Sequence, residues 1–135
     1  MWKRAGNLLK NRLSLRIMTA FYAVAGLNHF VSPEFYLPLI PDYFPYPQSI
    51  NVLAGFVELG LAASLFFERT RVWGAYLIIA MLVAFIPSHV FFIQEGSCLG
   101  ALCVPAWIGW ARLLVVHPFL MVWAYSVRDV RLGYA

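Results

Sequence analysis

Five side chains in this sequence carry proton or anion chemistry within long apolar runs: His29, Glu58, His89, Arg112 and His117. Ionisable groups inside a membrane span are costly, so each is a site hypothesis by default. Imidazole exchanges protons near neutral pH. A carboxylate takes up a proton or pairs with a cation, and a guanidinium fixes a carboxylate or another anion. Depths follow from a helical rise of about 1.5 Å per residue. With "outer" meaning the side away from most basic residues, His29 falls at the outer end of the first run. Glu58 falls in the middle of the second, and His89 near the outer end of the third. Arg112 and His117 fall in the outer third and near the centre of the fourth. All five thus occupy the middle or outer half of a bilayer, which points to one polar cavity that opens outward.

Each residue also has a plainer reading. Glu58 is either a proton-exchanging acid or a buried acid clamped by Arg112. His29 and His89 can serve as interfacial groups bonded to loop backbone. His117 can pack at the kink made by Pro118, which withholds its N–H from the Leu114 carbonyl. Three His and one Glu are a conceivable ligand set for zinc or iron. No H-x-x-x-H or E-x-x-H spacing occurs, and each ligand would come from a different run, so no metal site is assigned.

The elements that must position these groups follow from composition. Of 135 residues, 62% are hydrophobic and only 12% charged, with a mean hydropathy of +0.75. A soluble domain has roughly a quarter charged residues, so this is the composition of a membrane protein. A bilayer-crossing helix needs about 20 mostly apolar residues. Residues 13–31, 49–67, 72–93 and 107–126 qualify. The expected fold is all-α: a four-helix transmembrane bundle forming a single domain over 1–135, with no room for a separate soluble domain. Gly55 and Gly60 beside Ala54, Ala62 and Ala63 give the second helix a small-residue face suited to close packing.

Charge orients the bundle. Basic residues concentrate on the cytoplasmic side of membrane proteins. Lys3, Arg4, Lys10, Arg12 and Arg16, then Arg69 and Arg71, then Arg128 and Arg131 make nine of the ten bases. The first long loop has Glu34 and Asp42 and no base, and the third has Glu95 and no base. Both termini are therefore expected in the cytoplasm, with loops one and three on the outer side. The net charge of +4 reads as topology, not as a nucleic-acid surface. A cleaved signal peptide is the rival reading of the N-terminus, and Arg16 would interrupt its apolar stretch.

Two further features lie on the outer side. Cys98 and Cys103 share loop three, where an oxidising compartment permits a disulfide. No Lys or Arg lies in that loop to activate a thiolate, which favours a staple or free thiols over a redox pair. The loop at 32–48 contains Pro33, Pro38, Pro41, Pro45 and Pro47, which rule out a continuous helix. Its Phe35, Tyr36, Tyr43, Phe44 and Tyr46 suit the membrane interface. The segment reads as an interfacial anchor or as a lid across the outer helix ends.

These residues resemble the DoxX family of small four-helix bacterial membrane proteins. The likeness rests on Gly26, His29-Phe30 with Pro33, and the "FYLPLIPDYFP" strip with Tyr36, Pro41 and Pro45. It continues through "AGFVELGLAASLFFERTR" with Gly55, Glu58, Gly60 and Arg71, then Pro87, Arg112-Leu113 and Trp123-Ala124-Tyr125. His89 stands where the family often has Asn. "RLLVVHP" replaces an Arg-Leu-Pro-x-Gln stretch, with His117 near the place of the Gln. The resemblance implies a membrane subunit associated with quinone-linked or thiol- and sulfur-linked oxidoreductases. On that expectation Glu58, Arg112 and His29 are the catalytic candidates, and His89, His117 and Tyr36 would contact a quinone cofactor. The partners would be the bilayer, a lipophilic small molecule, and an oxidoreductase subunit or further copies of the chain. The alternative is a non-catalytic assembly partner or small-molecule carrier in which the same residues form a structural clamp. A transporter would need a dimer to build a path. No nucleotide-binding loop, nucleophile elbow or zincin motif occurs.

Overall fold

The computed structural model describes residues 8–133, so Lys3 and Arg4 of the basic tail lie outside the described residues. The chain is mostly helical. Three of its helical stretches are long and apolar enough to cross a bilayer: Pro47–Phe66, Arg71–Gln94 and Ala106–Val127. The first helix, α1 (Arg12–Val31), is 20 residues long, or about 30 Å. Its Arg12, Arg16, Asn28 and His29 lower its hydropathy below that of the other three. The Asn11 side chain caps it by accepting from the Ser14 N–H at 2.8 Å.

Spacing decides which face of each helix is buried. On α1 the buried stripe is Ser14, Leu15, Met18, Tyr22, Gly26 and His29, a helical i, i+3/i+4 pattern. After a short turn of helix, α2 (Pro33–Tyr36), and a 3-10 turn at Leu37–Leu39, α3 spans Pro47–Phe66 and buries Asn51, Gly55, Glu58, Ala62 and Leu65. These two stripes face each other. A methyl group on Gly26 would sit 2.9 Å from the Gly55 carbonyl oxygen, and one on Gly55 would sit 2.8 Å from the His29 Cβ. The backbones approach this closely only because both residues lack a side chain. Gly60, by contrast, has nothing within 4 Å of that position.

The two remaining apolar runs are each interrupted. In the third, α4 (Arg71–Ala84) and α5 (Ile86–Gln94) join at Phe85, whose N–H reaches back to the Met81 and Leu82 carbonyls at 3.0 and 3.2 Å. Pro87 has no N–H to continue the ladder. In the fourth, α6 (Ala106–Ala111) passes into a π-helical turn at Arg112–Val116 before α7 (His117–Val127). The kink expected at Pro118 is thus taken up by a widened turn just before it. Between the two runs, strands β1 (Cys98–Leu99) and β2 (Leu102–Cys103) pair antiparallel, and a Cys98–Cys103 disulfide closes the hairpin.

Helix α1 packs on α3, α3 on α4, and α4 on α7. Trp123 on α7 closes the order by donating to the Ser14 hydroxyl of α1 at 2.7 Å. The apolar core, with Leu15, Met18, Leu65, Ala75, Ile78, Ala124 and Val127 almost fully buried, lies toward the end where α1 begins and α7 finishes. Arg71 secures that end. It is 2% exposed, and it donates to the last carbonyls of α3, those of Leu65 at 2.7 Å and Phe66 at 3.0 Å. It also donates to the Val130 carbonyl of the C-terminal tail. Glu68 then accepts from the Leu132 N–H at 2.6 Å, and Arg12 donates to the Arg131 carbonyl at 3.2 Å.

At the opposite end, the proline strip folds back over the molecule. The Leu37–Leu39 turn contacts α3, α5 and β1, and Pro41 is fully buried. Tyr43 and Tyr46 point outward, 71% and 76% exposed. A depression of about 250 Å³ lies between the strip and the hairpin, lined by Leu37, Pro38, Ile40, Asp42, Phe91, Glu95 and Cys98. Tyr46, just before α3, holds a left-handed backbone with φ of 58°, an unusual conformation for a bulky residue.

Candidate functional site

Two polar clusters lie toward the loop end, on different helix pairs. The first is built on α1 and α3. Tyr22 and His29 are seven residues apart, as are Asn51 and Glu58, so each pair shares one helix face. Close packing at Gly26 and Gly55 brings the two faces together. Asn51 donates from Nδ2 to the His29 backbone carbonyl at 2.9 Å, and its Oδ1 faces His29 Nδ1 at 2.7 Å. The other ring nitrogen, Nε2, lies 3.5 Å from Glu58 Oε2. Tyr36 stacks on the imidazole, with ring centroids 3.7 Å apart and planes 20° from parallel. The Tyr36 hydroxyl accepts from Asn28 at 3.1 Å and donates to the Ala25 carbonyl at 3.4 Å. His29, Asn51 and Glu58 are all buried.

The network assigns the protons. The amide of Asn51 must present its NH₂ to the His29 carbonyl, so its oxygen faces the ring. An amide oxygen only accepts, so His29 Nδ1 carries hydrogen. A neutral imidazole then has a bare Nε2, and a bare nitrogen lone pair facing an ionised carboxylate is repulsive. A proton held between His29 Nε2 and Glu58 Oε2, 3.5 Å apart, removes that repulsion. The pair is either a neutral acid bonded to a neutral imidazole or an imidazolium bonded to a carboxylate. In both forms its net charge is zero, which suits an apolar setting. Glu58 Oε2 and the Tyr22 hydroxyl are fully buried and have no partner that meets hydrogen-bond geometry among the described residues.

The second cluster is built on α5 and the last helical run. The His117 ring donates from Nε2 to the Leu82 carbonyl, at the break between α4 and α5. The His89 ring meets it edge to face at 4.6 Å between centroids. The Arg112 guanidinium lies over the Phe92 ring, 5.1 Å from its centroid. The π turn makes this grouping. Five residues along an ordinary α-helix turn about 140° past a full circle, which would separate Arg112 from His117. In a π turn the i→i+5 bond, here from the His117 N–H to the Arg112 carbonyl, brings them onto one face.

The single cavity expected from depth is thus divided. His29, Glu58 and Tyr36 come together on α1, α2 and α3. His89, Arg112 and His117 come together on α5 and the fourth run. The expected Glu58–Arg112 pair does not form, because Glu58 projects from the face of α3 that packs on α1. Its ion partner is His29, and Arg112 rests on Phe92. Asn51 and Tyr22 escaped the sequence reading because neither is charged, although their heptad spacing to Glu58 and His29 marks both. Arg71, one of the bases in the charge bias, is also a buried cap. Among the described residues no three His, Cys, Asp or Glu side chains converge as metal ligands.

No curated protein matches the chain, and no solved structure matches it. One family does match, over residues 18–128, a span that includes every side chain of both clusters. The chain belongs to that family, described as a domain of unknown function (DUF8561).

Proposed function

We propose that this chain is a four-helix transmembrane bundle of the bacterial inner membrane, with both termini in the cytoplasm, and that it serves as a DoxX-like membrane subunit in oxidoreductase chemistry linked to quinone or to thiols and sulfur. The orientation is supported by charge. The end holding both chain ends carries Lys10, Arg12, Arg16, Arg69, Arg71, Arg128 and Arg131, whereas the loops of the other end carry Glu34, Asp42 and Glu95 and no base. The observation that carries the function is the buried His29–Glu58 pair at 3.5 Å. It holds one transferable proton at no net charge. Quinone reduction consumes two electrons and two protons. A partner oxidoreductase supplies the two electrons and the aqueous phase supplies the two protons. The Glu58–His29 pair relays them one at a time, regaining a proton after each transfer, while Asn51 and Tyr36 hold His29 in register.

The test is mass spectrometry of lipophilic molecules extracted from the gently purified full chain, with Glu58→Gln alongside. The reading expects a quinone held by the parent protein and a redox phenotype lost in Glu58→Gln while the fold survives. A parent protein without quinone, together with a Glu58→Gln strain that keeps its redox phenotype, would overturn it.

A second reading has its own support. The glycine contact between α1 and α3 and the two bonds from Asn51 to His29 suit a clamp in a non-catalytic assembly partner or carrier. The clamp reading expects Glu58→Gln to behave as the parent in every assay and only Glu58→Leu to lower stability.

A further inference from the structure

The second cluster contains a charge without a counter-charge. Arg112 makes no ion pair and no hydrogen bond among the described residues, and its only recorded contact of this kind is the Phe92 ring. Its neighbours His89 and His117 add no negative charge. His117 is already committed through Nε2 to the Leu82 carbonyl. An uncompensated guanidinium at the level of a hydrocarbon core is costly, and an anion drawn from its surroundings would offset that cost.

Three observations say where that anion comes from. Arg112 is only partly buried, and Leu114, Val115 and Val116 just beyond it are 63%, 64% and 47% exposed. Leu114, Val115 and Val116 therefore face lipid, and Arg112 sits at the border between that exposed surface and the face that packs on α5. Trp107 and Trp110, within two turns before it, are 68% and 50% exposed. Exposed tryptophans mark the headgroup level, and Arg112 stands only two residues deeper than Trp110, within reach of that level by extending its side chain. Gly109 brings this run hard against α5, since a methyl there would lie 2.8 Å from Ser97 Oγ and 2.9 Å from Ile93 Cγ1. That approach sets the guanidinium over Phe92 and beside His89, with its fork of donors free.

We propose that Arg112, with His89 beside it, binds the phosphate of an anionic lipid from the leaflet at the hairpin end of the molecule. Guanidinium holds phosphate through paired N–H donors, and a neutral imidazole adds one more donor. This site is separate from the His29–Glu58 pair and does not depend on the role proposed for it.

The test is native mass spectrometry of the full chain released from detergent containing phosphatidylglycerol, phosphatidylcholine or inorganic phosphate alone. The parent protein should retain phosphatidylglycerol at least tenfold more strongly than phosphatidylcholine. Arg112→Gln should hold one tightly bound phosphatidylglycerol fewer, Arg112→Lys should weaken that lipid less, and His89→Asn should weaken it several-fold. The basic end of the molecule attracts anionic lipid too, so Arg128→Gln serves as a control that leaves the Arg112-dependent lipid in place. Arg112-dependent retention of inorganic phosphate without Arg112-dependent retention of phosphatidylglycerol would overturn the lipid reading and assign the site to a soluble anion. Equal retention of phosphatidylglycerol by the parent and Arg112→Gln, or equal retention of the two lipids by the parent, would overturn the proposal.

Discussion

The α1–α3 cluster and the α5–α7 cluster contain the same kinds of side chain and solve opposite problems. Between α1 and α3 every charge has a complement: His29 is held at one nitrogen by Asn51 and at the other by Glu58, and glycine contacts seal the interface. Between α5 and the fourth run, Arg112 rests on an aromatic face with no carboxylate beside it, on a flank that is otherwise apolar and exposed. The first is closed and self-neutral, and the second is open and cationic. The difference teaches that depth along a helix does not choose a partner. The helix face does, together with the order in which helices pack.

Mutations can break or sharpen this contrast, and the largest effect belongs to the closed cluster. Gly55→Val should abolish folding or cost several kcal/mol, since overpacking alone costs about 1–3 kcal/mol and here the obstacle includes the His29 Cβ and the Phe30 ring. Gly60→Val, with open space around it, should unfold at the parent temperature in the same detergent. Glu58→Leu comes next. It strands the bare His29 nitrogen and should destabilise by about 1–3 kcal/mol. Glu58→Gln should stay near the parent, because its amide can donate to that nitrogen. His117→Phe removes one bond, to the Leu82 carbonyl at the α4–α5 break, and should cost about 1 kcal/mol. Arg112→Met should do least in detergent, leaving the unfolding temperature unchanged or slightly raised, since the charge has no carboxylate partner to lose and Met can still pack on the Phe92 ring. A large loss for Arg112→Met would mean that the second cluster is as closed as the first.

Much of the architecture was legible. The apolar runs at 49–67, 72–93 and 107–126 end within two residues of the observed Pro47–Phe66, Arg71–Gln94 and Ala106–Val127, because composition alone marks segments that water rejects. The prolines of the 32–48 loop predicted broken helix, and the strip is a turn of helix, a 3-10 turn and a buried Pro41. The ionisable residues of the apolar runs were legible one by one, since charge in an apolar run stands out. Their pairing was not. Glu58 could reach Arg112 only if α3 presented that face to the fourth run, and the glycines at 26 and 55 instead press it against α1. The π turn was also hidden. Pro118 announces a defect, but whether a helix bends or widens there depends on packing, here on His117 reaching the Leu82 carbonyl.

Nitrogen-15 NMR of histidine-labelled full chain in a bilayer reads directly whether one proton lies between His29 and Glu58. The predicted spectrum has a His29 Nδ1 that carries hydrogen and an Nε2 resonance displaced by a shared proton, which Glu58→Gln shifts while His89 and His117 stay in place. A His29 with a bare Nδ1, or an Nε2 resonance that ignores Glu58→Gln, would contradict it.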